Sequence, residues 1–247
     1  EPGGNSLRAA QAAALAPGDR ALVLGPGTIG LLAAMFARAA GAEVHVMGRN
    51  QESLAFAESL GFMHAWTEDT LPNLPFDAVI DASNDAHLPA LALELVEPAG
   101  RVVYVGLAGM PSMIDARTLA LKDVTAVGIL SASPGLDDTI AAYASGAVDP
   151  RPLVAATVGL QQVGAVLAGA RPEGAGPGPK IHVDPRLGLL RLERRQQRED
   201  AERADRDDGQ VDEEDPRPGP VVADRPAEDW AEDRRGRRRH RPDRKAD

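Results

Sequence analysis

The chain has 247 residues, 43% of them hydrophobic, with 27 Lys and Arg against 37 Asp and Glu for a formal net charge of −10. That length can bury a sizeable core in one large domain or two small ones, while the absence of cysteine excludes disulfides, thiolate zinc sites and a cysteine nucleophile. No apolar run reaches the roughly 20 residues needed to span a bilayer, because Arg38 interrupts the best candidate.

The charge is unevenly spread. Residues 1–185 carry 10 basic and 19 acidic side chains, an acidic surface poorly suited to gripping nucleic acid through its phosphates. Residues 186–247 carry 17 basic and 18 acidic ones, so that 35 of the last 62 positions are charged. No signal peptide is visible and the first residue is Glu1 rather than Met, so the expectation is a fragment or processed chain in the cytoplasm.

In chain order, "RALVLG" (20–25) reads as a strand buried on both faces. A helix follows in "TIGLLAAMFARAAG", with Ile29, Leu32, Ala33 and Phe36 at helical spacing and Gly41 as its stop. "EVHVMG" (43–48) is a second strand, and "NQESLAFAESLG" (50–61) a helix with Asn50 as N-cap. A weak third strand lies in "MHAWT" and a strong fourth in "FDAVIDAS" (76–83), followed by a helix across "HLPALALELV". "GRVVYVGL" (100–107) and "DVTAVGIL" (123–130) are the fifth and sixth strands, and "LDDTIAAYASG" (136–146) a helix. Strands alternating with helices predict an α/β fold: a Rossmann-type doubly wound parallel sheet of about six strands over residues 1–150. Residues 151–185 give a strand ("LVAATVGL"), a short helix ("QQVGAVLAGA") and a strand ("PKIHVD"). Beyond 186 apolar periodicity is lost, so the charged tail is expected to be disordered apart from one helical stretch near 190–205.

The chemistry starts at "VLGPGTIG" (23–30), where Gly25, Gly27 and Gly30 stand at GxGxxG spacing between a strand and a helix. Gly25 permits the tight turn, Gly27 lets the backbone approach a pyrophosphate, and Gly30 lets helix and strand pack. The free N–H groups of the helix start then face the phosphate, which makes Pro26, Thr28 and Ile29 part of the candidate cofactor site. A binder of the unphosphorylated dinucleotide usually carries Asp or Glu at the end of the second strand. Here Gly48 stands there, followed by Arg49 and Asn50. Glycine leaves room for a 2′-phosphate and a guanidinium pairs with it, so NADP is expected ahead of NAD.

Taken together, "APGDRALVLGPGTIG", "ARAAGAEV", "DAVIDASN", "GRVVYVGL" and "YASGAVDPRPLV" resemble the medium-chain dehydrogenase/reductases of the zinc-type alcohol dehydrogenase group. The resemblance covers residues 1 to about 185 and implies hydride transfer between an alcohol/carbonyl pair and a nicotinamide cofactor. It also implies that Ala82 and Ser83, then Val105, Gly106 and Leu107, line the cofactor groove, with Leu130 and Ser131 near the nicotinamide. In that family the catalytic domain largely precedes the glycine loop, so the expectation is a cofactor-binding domain lacking it and inactive alone. Residues 151–185 would return to pack on that domain, and zinc is expected only in a full-length relative. Glu1 matches a position where some members carry an acidic residue near the metal, whereas "GGNS" departs from the aliphatic residues expected after Glu-Pro.

No catalytic or metal-ligating residue stands out. His45, His64, His87, His182 and His240 show no ligand spacing, and packing or surface roles are expected for them. Neither Tyr104 nor Tyr143 has a Lys four residues on, so short-chain reductase chemistry is not indicated. Gly48-Arg49 also speaks against a methyltransferase, which would want an acidic residue there. Two readings stay open: the cofactor domain of an oxidoreductase, and a non-catalytic module that keeps the dinucleotide site and works through its tail or its sixth-strand edge. "TAVGIL" on that edge suits a homodimer. The tail is either a genuine interaction arm, with "RRGRRRHR" as its basic patch, or the product of a shifted reading frame.

Overall fold

A central strand with four consecutive fully buried positions must be covered on both faces, and β1 (Arg20–Leu24) has them in Ala21, Leu22, Val23 and Leu24. Ala21 and Val23 point into one core layer with Val44, Val46, Ile80 and Val103; Leu22 and Leu24 point into the other with Met47, Val79 and Val102. The computed structural model describes residues 1–187, which belong to one unit, Glu1–Arg195. The expected disorder and helical stretch of the tail, its basic run and His240 lie outside the described residues.

Six parallel strands form the main sheet in the order β3-β2-β1-β4-β5-β6, with β2 at Glu43–Met47, β3 at His64–Trp66, β4 at Phe76–Asp81, β5 at Val96–Tyr104 and β6 at Thr125–Gly128. This is the doubly wound arrangement that the alternation predicts. The order reverses between β1 and β4, and such a reversal opens a crevice at the carboxyl ends of the strands. The expected helices appear as α2 (Thr28–Ala39), α3 (Gln51–Ser59), α4 (Leu88–Leu95) and α6 (Leu136–Ala144). Residues Gly30 to Ala37 of α2 are buried without a break, because the sheet covers one side of the helix and an N-terminal helix, Pro2–Ala12, the other.

α1 (Pro2–Ala12) is a helix not among the expected elements, and its Gly3 and Gly4 are poor helix formers. Tertiary packing overrides that preference. A Cβ on Gly3 would lie 2.5 Å from the Tyr143 hydroxyl, and one on Gly4 would strike the Ala132 carbonyl. Ser6, fully buried, lies 2.7 and 2.9 Å from the carbonyls of Pro2 and Ile29 and donates to them, fastening α1 to the start of α2. The short α5 (Ala116–Leu121) is likewise unanticipated; Asp115 caps it by accepting from the Arg117 N–H. Residues 151–185 form a separate pair of parallel strands, β7 (Val154–Val158) and β8 (Lys180–Val183), joined through α7 (Val163–Leu167). Among the described residues no helix is long and apolar enough to cross a membrane.

Candidate functional site

The turn between β1 and α2 is built from glycines that do different work. Gly25 has φ +93°, which side chains rarely adopt, and its N–H donates to the Met47 carbonyl at 2.9 Å. Added to Gly30, a Cβ would collide with the Gly25 carbonyl oxygen, so this glycine seats the helix against the turn. Gly27 has nothing within 4 Å of where a Cβ would stand, so its face is open. It is also the N-cap of α2, and no side chain caps that helix. The first-turn amides, which have no intrahelical acceptor, therefore point outward with the positive end of the helix dipole.

These amides open on a cleft of about 980 Å³, a size suited to a large organic ligand. Of the residues expected at the site, Gly25, Pro26, Gly27, Ile29, Gly48, Arg49, Asn50, Ala82, Ser83, Val105, Gly106 and Leu107 line it. Thr28, Gly30, Leu130 and Ser131 are not in the lining. Gly30 is buried under the turn, Leu130 is 77% exposed, and the Ser131 carbonyl accepts from the Arg8 guanidinium. The lining also includes residues that the sequence reading does not single out, among them Met47, Thr67, Glu68, Asp69, Asn84 and Asp85.

The loop after β4 is clamped from both sides. A Cβ on Gly25 would come within 3.1 Å of the Ala82 carbonyl, and one on Gly106 would strike the Ser83 carbonyl. The Asp81 carbonyl accepts from the N–H groups of Val105 and Gly106, both at 2.9 Å, and its carboxylate accepts from the Ser83 N–H at 2.9 Å. Asp81 is 2% exposed, and burial pushes its carboxyl above the usual range despite the bonds from Ser83. The cleft floor is thus tied by main-chain bonds and close packing on both sides.

Gly48 has a different explanation from the one its position suggests. A Cβ there would sit 2.8 Å from Pro26 Cγ and 3.1 Å from Leu54, so the glycine admits neighbours already present and leaves no vacant space on that side. Asn50 is committed as the cap of α3, its side chain accepting from the Ser53 N–H at 2.8 Å. Arg49 is 76% exposed, and its guanidinium lies 3.5 Å from the Asp85 carboxylate. It is the one cation in the cleft lining among the described residues, against the carboxylates of Glu68, Asp69 and Asp85.

At the opposite end of the sheet, where β2 and β3 begin, the fold brings Glu43, His45 and His64 within metal-ligand reach of one another. The sequence spacing hides this group, because only the parallel register sets His45 beside His64. Its hydrogen bonds do not suit a metal. Trp66 donates its indole N–H to His45 Nδ1 at 3.1 Å, which leaves the proton on Nε2, and Nε2 donates to Glu43 at 2.9 Å. Both nitrogens of this 1%-exposed ring are spent, and the Arg20 guanidinium holds the same Glu43 oxygen at 2.9 Å. Bonds from Arg20, then from His45, hold the Glu43 carboxyl down at about 2, while burial lowers the pKa of His45. The two tyrosines serve packing: Tyr104 donates to the Pro89 carbonyl at 3.0 Å and Tyr143 stacks on Phe36.

Residues 28–145 match the family model described as zinc-binding dehydrogenase. The L-galactonate-5-dehydrogenase of Escherichia coli K12 is 33% identical in a 150-residue alignment that covers 54% of this chain and 42% of that protein. The alcohol dehydrogenase TADH of Thermus sp. ATN1 superposes with a TM-score of 0.63 at 28% identity, over 68% of this chain and 52% of that one. The L-idonate 5-dehydrogenase of Escherichia coli K-12 gives 0.66 at 21% identity, over 74% and 55% of the two chains, a likeness of fold. The chain thus spans about half the length of the relatives it matches. By its family match over residues 28–145, its sheet order and its glycine turn, the chain is similar to the zinc-type alcohol dehydrogenase-like dehydrogenases.

Proposed function

We propose that the cleft binds a nicotinamide dinucleotide and that this chain is the cofactor-binding part of an oxidoreductase acting on an alcohol/carbonyl pair. The observation that supports it most directly is the uncapped start of α2, set behind Gly27 and opening on the cleft at the sheet's reversal point. Gly25, Pro26, Gly27 and Ile29 would hold the pyrophosphate with main-chain amides. Ala82, Ser83, Val105, Gly106 and Leu107 would line the path toward the nicotinamide, with Leu130 and Ser131 beyond it. When bound, the nicotinamide would supply the hydride chemistry, and the clamped backbone of Ala82 and Ser83 would fix its position. NADP is the proposed form, because Arg49 is the cation available to a 2′-phosphate and no carboxylate stands at position 48.

The described residues do not fit the zinc that the family description names. Cysteine is absent from the chain, and the grouping of Glu43, His45 and His64 is closed by its own hydrogen bonds. Turnover of substrate is accordingly not proposed for this chain alone. A cytoplasmic setting and a homodimer through the β6 edge go with this reading.

Calorimetric titration of the chain with NADPH and NADH tests it. Arg49→Ala should weaken NADPH by about 1.5 kcal/mol, roughly tenfold, the lower end for a hydrogen bond to a charged group at an exposed site. NADH should be little affected. An assay for NADPH oxidation with a panel of aldehydes and ketones should show no turnover, with or without added zinc.

A further inference from the structure

The one cation of the cleft lining among the described residues already has a carboxylate partner. Arg49 follows β2 and Asp85 follows β4, and these strands flank β1 in the sheet. Neighbouring strands lie roughly 4.8 Å apart, so the Arg49–Asp85 pair arches over the carboxyl end of β1, where the glycine turn begins. A second pair, Glu68 with His87 at 3.3 Å, joins the segments after β3 and β4 across two intervening strands.

Asp85 is the fixed member of its pair. One carboxylate oxygen accepts from the His87 N–H at 3.0 Å, and the Asp85 N–H approaches the Ser83 hydroxyl at 3.4 Å. That places Asp85 on the clamped loop, with its side chain 35% exposed, whereas the Arg49 side chain is 76% exposed and held only at its far end. The guanidinium therefore goes where Asp85 puts it.

We propose that Asp85 sets the dinucleotide preference of the cleft by competing with a 2′-phosphate for Arg49. This rests on the cofactor reading above and adds to it a specificity-determining residue on a different loop. A phosphate arriving at Arg49 must share the guanidinium with a carboxylate that the backbone prevents from retreating. Glu68 and Asp69 add further negative charge to the same lining. The preference for the phosphorylated cofactor is thereby held below what Gly48-Arg49 alone would give.

Asp85→Asn separates the charge from the turn, because the amide oxygen can still accept from the His87 N–H. Titrated with NADPH and NADH at low salt, the full chain carrying this substitution should bind NADPH about two- to fivefold more tightly, the scale of an exposed ion pair. NADH binding should not change. The gain should shrink at high ionic strength and vanish in the Arg49→Ala background, because the effect passes through that guanidinium. A gain that persists without Arg49, a gain shared equally by NADH, or a loss of NADPH affinity would each overturn the proposal while leaving the cofactor reading intact. Failure of the unaltered chain to bind either nucleotide would overturn both.

Discussion

Gly27 and Gly30 lie three residues apart in one motif, yet they should respond in opposite ways to the same added methyl group. Gly30→Ala sets a Cβ against the Gly25 carbonyl, so the helix must move off the strand. It should destabilise the fold by about 1–3 kcal/mol, as overpacking of a tight site does. Gly27→Ala meets nothing and keeps an allowed extended conformation at φ −83°. Its thermal midpoint should match that of the unaltered chain or exceed it, since alanine restricts the unfolded state, while dinucleotide affinity falls. Melts and titrations on both variants check this pair. The buried carboxyl of Asp81 makes a second contrast. Burial raises its pKa, so the native state holds a proton that the unfolded chain gives up just above the ordinary carboxyl range. Stability therefore drops as pH climbs through the raised value, and the penalty is fully present only above it. Asp81→Asn keeps an oxygen for the Ser83 N–H and removes the charge. Its thermal midpoint should rise relative to the unaltered chain above the raised value and not in strong acid, as melts across that pH range would report.

At the scale of elements, the parts legible in the sequence are those whose signal is local. β1, α2, β2 and β4 announce themselves by aliphatic runs between glycines, and the glycine turn by its spacing. α1 was not legible, because its two glycines answer to Tyr143 and Ala132 far along the chain. Asp85 and Glu68 escaped for a related reason. Asp85 sits in a loop and Glu68 opens a single 3-10 turn, both without periodicity, and they meet Arg49 and His87 only once the strand order has reversed. Gly48 was legible as an exception to the acidic position, but Pro26 and Leu54 explain it by packing. The β2–β3 pair shows the same limit, since the network of Glu43, His45 and Trp66 depends on parallel register. It carries a pH prediction of its own. The pKa of His45 is lowered by burial, so below the ordinary histidine range the unfolded chain takes up a proton that the native state refuses. Stability should fall from pH 7 to pH 5, and continue to fall in more acid solution as the unfolded state protonates Glu43, held at about 2 in the fold. His45→Gln should flatten the first of these slopes and leave most of the second, which the Arg20 guanidinium chiefly sets. Urea melts at unit steps of pH distinguish them; an unchanged slope between pH 7 and 5 would place its origin elsewhere.

For the molecule as a whole, the informative surface is the one the sheet leaves open. β6 pairs with β5 on one side, and among the described residues no strand adjoins its other side. Thr125, Ala126 and Gly128 are exposed, with Val127 half-buried between them, and none carries a charge. Uncharged edges of this kind recruit another strand unless something blunts them. Two copies related by a twofold axis would bring β6 against its twin in antiparallel fashion, each residue meeting the same set of partners on the other copy. A single substitution is then felt twice. Ala126→Lys places two ammonium groups across the joint, and like charges on facing strands repel. The unaltered chain should sediment as a dimer at micromolar concentration, and the variant should dissociate at least tenfold more readily, about 1.4 kcal/mol. Its far-ultraviolet circular dichroism should not change, because the Cα of Ala126 pairs with Val102 inside the protomer whether or not the second copy is present. A chain that sediments as a monomer, or a variant that stays dimeric, would move the association away from this edge. The exposed Leu107, Met110 and Met113 that follow β5 would then be the next surface to test.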